Sequence, residues 1–288
     1  MKMITTLIKQ MSDFTYRNGF EISNVFNDFL SYIIWIHTLP EYGKKIEGWS
    51  YTPEQSKEFF TMYQTLILSL QEELKHKEWF DIFGTIYEDL IASKSRRSNI
   101  GQFFTPMSLC DLMVDLTQPN NDNKIVGKRI NDCACGSGRT LLAFNSKFPG
   151  NYYIAEDIDK TCAMMCVCNF ILHGMKGEVI WHNSLVPESL FGAWKVNEHL
   201  NNTIAMYGCV PHCREIGIKE TTLPFSNTTD VNIVRIKEKL QASADKVLAR
   251  LHSLLRSNIP SSECKSQARA LTMKYKQIKK LIERYDQN

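Results

Sequence analysis

The sequence predicts an α/β protein that has a helical region before its sheet and further helices after it. Two observations carry this prediction. Between residues 107 and 181, strand-like segments alternate with helix-like segments, which is the pattern of a parallel sheet with crossover helices. Within that stretch, residues 131–141 form a small-residue turn with two glycines between a strand end and a helix start. A chain of 288 residues with 43% hydrophobic residues can bury the core that such a fold needs.

The first region, residues 1–95, is predicted to be helical throughout. Thr52 has the position of a helix N-cap, and Pro53 has the first-turn position in which proline is tolerated. A later helix is predicted over residues 78–92, whose apolar residues recur at helical spacing. The polar and basic residues 93–99 predict a linker into the next region.

The second region, residues 96–230, is predicted to be the α/β domain. Its predicted elements, in chain order, are a helix at residues 107–116, a strand at 129–131, a helix from residue 139, a strand at 152–155, a helix at 160–172 and a strand at 178–181. No element is predicted between residues 186 and 230, where three prolines interrupt scattered apolar residues.

The third region, residues 231–288, is predicted to be a basic helical extension. Its apolar residues recur at three- and four-residue multiples, which favours a helical hairpin or a coiled coil that binds a partner. It contains 13 Lys and Arg against 5 Asp and Glu, a net charge of +8 in a chain whose total is +3. Such a surface can neutralise the phosphates of nucleic acid, although a solvated amphipathic helix pair explains the same pattern.

The composition argues against several classes of protein. No run of 18 apolar residues exists and the amino end lacks the layout of a signal peptide, so we expect a soluble cytoplasmic protein without a membrane partner. Nine cysteines, an odd number, suit a reducing compartment better than a disulfide framework. The run Cys209-Val210-Pro211-His212-Cys213 is similar to a metal knuckle, but no second Cys/His pair completes four zinc ligands, and we therefore predict no metal site.

The glycine turn has the features of a site for a nucleotide-like ligand. Gly136 and Gly138 lack Cβ atoms, so the turn can bring main-chain N–H groups against a ligand just before a helix N-terminus. The run Ala155-Glu156-Asp157-Ile158-Asp159 closes the second strand 19 residues after Gly138, where a carboxylate can accept both hydroxyls of a ribose. Leu141 stands where a dinucleotide-binding motif has its third glycine, and this disfavours an NAD-dependent oxidoreductase.

These motifs, taken with Gly101-Gln102-Phe103-Phe104-Thr105-Pro106, resemble the S-adenosylmethionine (SAM) site of adenine-N6 DNA methyltransferases. The resemblance is to the modification subunits of type I restriction systems in particular. It covers residues 95–195 and implies a SAM-dependent, Rossmann-like methyltransferase sheet, here truncated. Two aromatic residues followed by Thr-Pro at a helix entrance make the resemblance specific.

The resemblance implies a role for each motif. The Phe-Phe-Thr-Pro segment would close over the methionine end of SAM, and Asp132 would face the amino group of that end. Asp157 would accept the ribose hydroxyls, with Glu156 as the alternative, and Ile158 would pack on the adenine ring. Asn183 would accept the adenine amino group, in a run where the family has Gly-Asp-Thr-Leu. The implied cofactor-binding residues are Phe104, Thr105, Pro106, Asp132, Ala134, Gly136, Gly138, Asp157, Ile158 and Asn183.

The catalytic motif of that family is absent from the sequence. The family holds a flipped adenine with Asn-Pro-Pro-Phe or Asn-Pro-Pro-Tyr after the fourth strand, so that the amino nitrogen faces the sulfonium methyl group. No two prolines are adjacent in these 288 residues. The nearest string contains Thr222, Pro224 and Phe225 but lacks the Asn, and a turn between loops explains it better than a catalytic role.

The resemblance implies a SAM-dependent adenine-N6 DNA methyltransferase of the type I modification-subunit kind. Its partners would be double-stranded DNA and a specificity or restriction subunit, with the carboxyl-terminal helices as the docking element. The alternative is a catalytically inactive accessory or remnant that binds SAM or DNA. The missing Asn-Pro-Pro-aromatic string favours this alternative.

Overall fold

The computed structural model describes residues 2–38, 45–91, 104–117, 125–186, 189–198, 212–217 and 220–221, with the single positions 245 and 249. The chain divides into two compact units, residues 1–223 and residues 224–288. The helices and strands described lie in the first unit. They are α1 (Lys2–Asn18), α2 (Ile22–Ile36), α3 (Pro53–Leu74), α4 (Ile82–Leu90), α5 (Met107–Thr117), β1 (Arg129–Asp132), α6 (Arg139–Lys147), β2 (Tyr152–Asp157), α7 (Lys160–Leu172), β3 (Gly177–His182), β4 (Leu190–Val196) and β5 (Cys213–Glu215).

The predicted start of α3 is confirmed. The Thr52 hydroxyl accepts a hydrogen bond from the Gln55 N–H at 3.2 Å, and the Gln55 side chain accepts one from the Thr52 N–H at 2.9 Å. This reciprocal pair is a capping box, and Pro53 occupies the first helical position. The helix therefore begins where the sequence chemistry requires.

The predicted start of the helix at residue 78 is wrong. Helix α4 begins at Ile82, because the Asp81 carboxylate accepts a hydrogen bond from the Gly84 N–H at 2.8 Å and so serves as the N-cap. Trp79 and Phe80 are buried before the helix begins. Their apolar spacing continued the helical pattern although their backbone is not helical.

The sheet is mixed, and its strand order is β1-β2-β3-β4-β5. Strands β1, β2 and β3 are parallel, as predicted, and α6 and α7 are the crossover connections between them. Strand β4 pairs antiparallel with β3, and strand β5 pairs antiparallel with β4. The expectation that no element lies between residues 186 and 230 is therefore wrong, because β4 and β5 lie there. Strand β4 contains Gly192 and Lys195, which break the period of two, and its pairing with β3 makes it a strand.

Helix α7 lies at the centre of the described fold. It contacts β2, β3 and β4 on one side and the helices α2 and α4 on the other. Every residue from Cys162 to Ile171 is buried. A helix that is enclosed on all sides carries apolar residues all round, and this explains why its sequence has no polar stripe.

The hydrophobic core runs without a break from the amino-terminal helices to the sheet. Phe14, Phe29 and Leu66 of the helical region belong to the same cluster of buried residues as Val179 and Trp194 of the sheet. The boundaries proposed at residues 95 and 230 remain predictions. Within the described part of the chain, no helix is long and apolar enough to cross a membrane.

Candidate functional site

The carboxyl ends of β1, β2 and β3 bring three predicted site segments to one edge of the sheet. Asp132 ends β1, Asp157 ends β2, and Asn183 follows β3 directly. Asp132 is in register with Ala155, two residues before Asp157, since the strands are parallel neighbours. In open α/β sheets, ligands bind outside the carboxyl ends of the strands, and this edge is therefore the candidate site.

The turn between β1 and α6 depends on its two glycines. Gly136 has φ +55° and Gly138 has φ +91°, in the left-handed region that L-residues with side chains rarely adopt. Gly138 is the N-cap of α6, and its N–H donates to the Cys135 carbonyl at 2.8 Å. The Cys135 N–H donates to the Glu156 carbonyl at 2.9 Å, so the turn is bonded to β2 as well.

The turn and the second acidic motif meet directly. The Gly136 N–H donates a hydrogen bond to the Asp157 carboxylate at 2.8 Å. The other carboxylate oxygen accepts from the Asp159 N–H, also at 2.8 Å. Each carboxylate oxygen has two lone pairs, so both retain capacity for a further donor such as a ribose hydroxyl. Asp157 is half-buried.

The electrostatics of this edge suit a cationic ligand. Burial raises the pKa of Asp132 above 3.8, and the nearby Asp157 carboxylate raises it further. Burial also raises the pKa of Asp157 above 3.8, against the hydrogen bonds from the Asp159 and Gly136 N–H groups. A raised carboxyl pKa means that the surrounding protein groups compensate the negative charge poorly. A ligand that brings positive charge would relieve this.

Glu156, the alternative ribose acceptor, has a different environment from Asp157. It is 5% exposed, and its carboxylate accepts from the Asn131 amide at 2.6 Å and from His182 Nε2 at 2.7 Å. Burial by itself raises the pKa of Glu156, but the hydrogen bonds from His182 and Asn131 outweigh burial, and the pKa lies below 4.5. The side-chain hydrogen bonds of Glu156 thus link β2 to β1 and to β3, while Asp157 faces the turn.

The Phe104-Thr105-Pro106 segment lies against the glycine turn. A Cβ atom built on Gly136 would lie 3.1 Å from the Phe104 ring, so the glycine permits this close approach. The Pro106 carbonyl accepts from the Leu109 and Cys110 N–H groups and so opens α5. Residues Gly101, Gln102 and Phe103 of the same motif lie outside the described residues.

The opposite end of the site is formed by the segments after β2 and β3. Ile158 is 62% exposed, and its carbonyl accepts from Trp181 Nε1 at 3.1 Å. The Asn183 side-chain oxygen accepts from the Leu185 N–H at 3.0 Å, and this bond orients the amide. The Ser184 hydroxyl donates to the Cys133 carbonyl at 2.8 Å and bonds this loop to the glycine turn. Ala134 is exposed within the turn.

Other predicted positions fall outside this edge or outside the described residues. Thr222, Pro224 and Phe225 lie outside the described residues, as does Cys209 of the knuckle-like run. Within the described ranges, no group of three or more His, Cys, Asp or Glu residues is placed to hold a metal ion. Cys133 is exposed, whereas the other cysteines with described environments are buried.

A buried polar network behind the turn was not predicted from the sequence. Asp81 is fully buried, and its carboxylate accepts from the Ser137 hydroxyl at 2.6 Å, from Arg139 Nε at 2.7 Å and from the Asn169 amide at 2.8 Å. Asn169 also donates to the Ser137 carbonyl at 2.8 Å. The one signal available was an Asp before an apolar helical run, which marks an N-cap but not its distant partners.

Comparisons with known proteins agree with the motif-based resemblance. Residues 78–198 match the family model described as N-6 DNA Methylase. The chain is 26% identical over 145 residues to the type I restriction enzyme EcoEI methylase subunit of Escherichia coli, covering 45% of this chain and 29% of that protein. It is 30% identical over 100 residues to the type I restriction enzyme MjaVIII methylase subunit of Methanocaldococcus jannaschii, covering 33% of this chain and 16% of that protein.

The matches confirm the resemblance and define its extent. The matched region contains the candidate site from Asp81 to Asn183, while the chain spans less than a third of the length of either relative. No solved structure matches the chain.

Proposed function

We propose that this chain, similar to N-6 DNA methylases over residues 78–198, binds SAM and acts in adenine-N6 methylation of DNA. SAM would supply an electrophilic methyl group on its sulfonium sulfur. The chain's own residues would bind the cofactor and orient it at the carboxyl edge of a Rossmann-like sheet. The observation that carries the proposal is the 2.8 Å hydrogen bond that joins the Gly136 N–H to Asp157.

The geometry of that contact supports an adenosine-bearing ligand. The two glycines hold the turn in a left-handed backbone conformation that presents the Gly136 N–H to Asp157, and Asp157 retains acceptor capacity for ribose hydroxyls. Ile158 supplies an exposed apolar surface for an adenine ring next to Asp157, and Asn183 supplies an oriented amide after the neighbouring strand. A ribose and its base would therefore find adjacent partners.

The charge of the site supports a ligand with a cationic tail. SAM carries positive charge on its sulfonium and on its amino group, and Asp132 would face the amino group. Because burial raises the pKa of Asp132, pairing with a cation would recover the free energy that burial of the carboxylate costs. Phe104, Thr105 and Pro106 would then cover the methionine end from the side of α5.

The proposed partners follow from the relatives. Both named relatives are methylase subunits of type I restriction enzymes, and we propose double-stranded DNA and a specificity or restriction subunit as partners here. The basic residues 231–288 would add salt-sensitive affinity for DNA phosphates or dock the partner. Thr222, Pro224 and Phe225 remain the candidate target-base residues.

Calorimetry with SAM tests the proposed cofactor site. Replacing Asp157 with Ala removes two acceptor oxygens, and a lost hydrogen bond to a charged group weakens binding by about ten- to a hundredfold. We therefore expect Asp157→Ala to lower SAM affinity by at least the smaller factor. Asp115→Ala is the matched control, since Asp115 is an exposed carboxylate on α5 that pairs with Lys147.

Three results of this titration would contradict the proposal. They are an absence of SAM binding by the natural chain, equal affinity of the Asp157→Ala and natural chains, and binding of NAD in place of SAM. The last result would indicate an oxidoreductase.

Transfer of a labelled methyl group to unmethylated DNA separates the proposed enzyme from the alternative accessory. The observation that favours an accessory is that no Asn-Pro-Pro-Phe or Asn-Pro-Pro-Tyr string occurs in the 288 residues. The assay is run with the chain alone and with co-expressed neighbouring subunits. SAM binding with no transfer in either setting would establish the accessory.

A further inference from the structure

We infer that Arg139 is a positioning residue for the cofactor site, because its guanidinium holds the Phe104 ring against the glycine turn. This inference rests on the proposed function and deepens it. Arg139 is the first residue of α6 and is 5% exposed. A charged group that is so deeply buried needs partners that satisfy both its charge and its N–H donors.

One side of the guanidinium is bonded to α4. Arg139 Nε donates to the Asp81 carboxylate at 2.7 Å, and Nη2 donates to the Glu88 carboxylate at 2.9 Å. Asp81 is itself held by the Ser137 hydroxyl and the Asn169 amide. The guanidinium plane is therefore fixed by two carboxylates from the start and the end of a single helix.

The other side of the guanidinium contacts the Phe104-Thr105 segment. Nη1 donates to the Thr105 carbonyl at 3.3 Å, and the guanidinium carbon lies 5.1 Å from the centre of the Phe104 ring. The Tyr87 ring meets the Phe104 ring edge to face, with 5.7 Å between centroids. The Gly136 main chain borders the same ring. Phe104 is thus enclosed by the guanidinium, Tyr87 and the glycine turn.

An arginine is required for this arrangement. Its planar fork offers donors in several directions and a flat face to an aromatic ring, whereas a lysine ammonium is a single point of charge. A lysine at position 139 could neutralise Asp81, but it could not bond Glu88 and Thr105 and stack on Phe104 at the same time. The Phe104 ring would then have to be ordered by the cofactor, which lowers the affinity.

The test is calorimetry with SAM on the full chain and its Arg139→Lys variant. We expect Arg139→Lys to weaken SAM binding by about tenfold, because the Phe104 side chain must then be ordered when the cofactor binds. Arg214→Lys is the matched control, because Arg214 also bonds two glutamates, Glu198 at 2.6 Å and Glu220 at 2.7 Å, but lies on β5. The control should bind SAM as the natural chain does.

A double-mutant cycle separates a positioning role from a purely structural one. If Arg139 acts through Phe104, then Arg139→Lys weakens SAM binding in the natural chain but has little further effect in a Phe104→Ala chain. A general loss of stability would weaken binding by the same factor in both backgrounds. Should Arg139→Lys fail to fold, the Glu88→Gln variant replaces it. Glu88 is one-third exposed, and this substitution removes only one charged partner of the guanidinium.

The outcomes distinguish this inference from the proposed function. A natural chain that binds no SAM overturns both. A natural chain that binds SAM, with Arg139→Lys binding equally well, overturns only the role of Arg139. Additive losses in the cycle also overturn that role and leave the SAM site intact.

Discussion

Glu156 and Asp157 are neighbours in one strand, yet the structure gives them opposite electrostatic environments. Glu156 lies inside, between Asn131 and His182, and the pKa of its carboxyl lies below 4.5. Asp157 faces the glycine turn, and burial raises the pKa of its carboxyl above 3.8. Consecutive residues of a strand point to opposite faces, so one carboxylate stabilises the sheet and the other is available to a ligand.

The contribution of Glu156 to stability is predicted to depend on pH. Replacing Glu156 with Gln removes a charged acceptor for two donors, the buried His182 and the exposed Asn131, and should lower the free energy of unfolding by about 2 kcal/mol at pH 7. Because the folded pKa lies below the unfolded value of 4.5, the stabilisation is present above pH 4.5 and is lost as pH falls through the folded pKa. Urea unfolding of both chains across this range measures the difference.

Asp157→Asn provides the contrast for that experiment. Burial raises the pKa of Asp157, so ionisation of this carboxyl lowers the free energy of unfolding, whereas ionisation of Glu156 raises it. The loss develops as pH rises from 3.8 through the folded pKa of Asp157. A difference between Glu156→Gln and the natural chain that stays constant with pH, or grows as pH falls, would contradict the assigned role of Glu156.

At the scale of the element, the turn before α6 tolerates little change at Gly138. A Cβ on Gly138 would lie 2.8 Å from Cys166 Sγ in α7, closer than real Cβ contacts come. The positive φ of Gly138 adds a conformational cost to the steric one. The amino end of α6 and the centre of α7 are therefore locked at this glycine.

Gly138→Ala is predicted to lose stability from both causes. The left-handed backbone costs about 1–2 kcal/mol and the forced contact a further ~1–3 kcal/mol. Gly127→Ala is the control, since Gly127 has φ +71° but no atom within 4 Å of an added Cβ, and it should show the first cost alone. Thermal unfolding measures both. Equal losses in the two variants would show that the Cys166 contact carries no penalty.

At the scale of the whole molecule, the amino-terminal helices are part of the structure that carries the site. Helices α2 and α4 pack on α7, and the Thr161 hydroxyl of α7 donates to the Asn27 side chain of α2 at 2.9 Å. The Asp81 network then joins α4 to the glycine turn and to α7. Since the buried core is continuous, the helices and the sheet should unfold as one cooperative unit.

Asp81→Ala is predicted to destabilise this entire unit. It leaves Arg139 buried with one carboxylate fewer, and such losses cost about 3–5 kcal/mol. Hydrogen exchange in low urea should accelerate together in peptides from α2, α4 and α7. The exposed Asp115→Ala serves as the control. Faster exchange in α4 alone would mean that the helical region opens independently of the sheet.

Local chemistry determined much of this fold in advance. Thr52 with Gln55 starts α3, the acidic run ends β2, and the elements from α5 to β3 lie where their hydrophobic periods predict. Each of these signals depends on residues that are close in sequence. The strands β4 and β5 were not predicted, because they depend on pairing with distant strands. The start of α4 was predicted wrongly, because the apolar spacing of Trp79 and Phe80 continued the helical pattern before the local Asp81 cap.

By itself, the sequence determined the nature of the candidate ligand loop, since two glycines and a carboxylate at their spacing carry their chemistry wherever they are placed. Only the tertiary structure decided that the Asp157 carboxylate faces that loop and that the Glu156 carboxylate is hydrogen-bonded to the neighbouring strands. It also decided that Arg139 and Asp81, 58 residues apart, share one buried contact. The physical reason is that burial and partners set the state of a charge, and both come from distant segments brought together by the core.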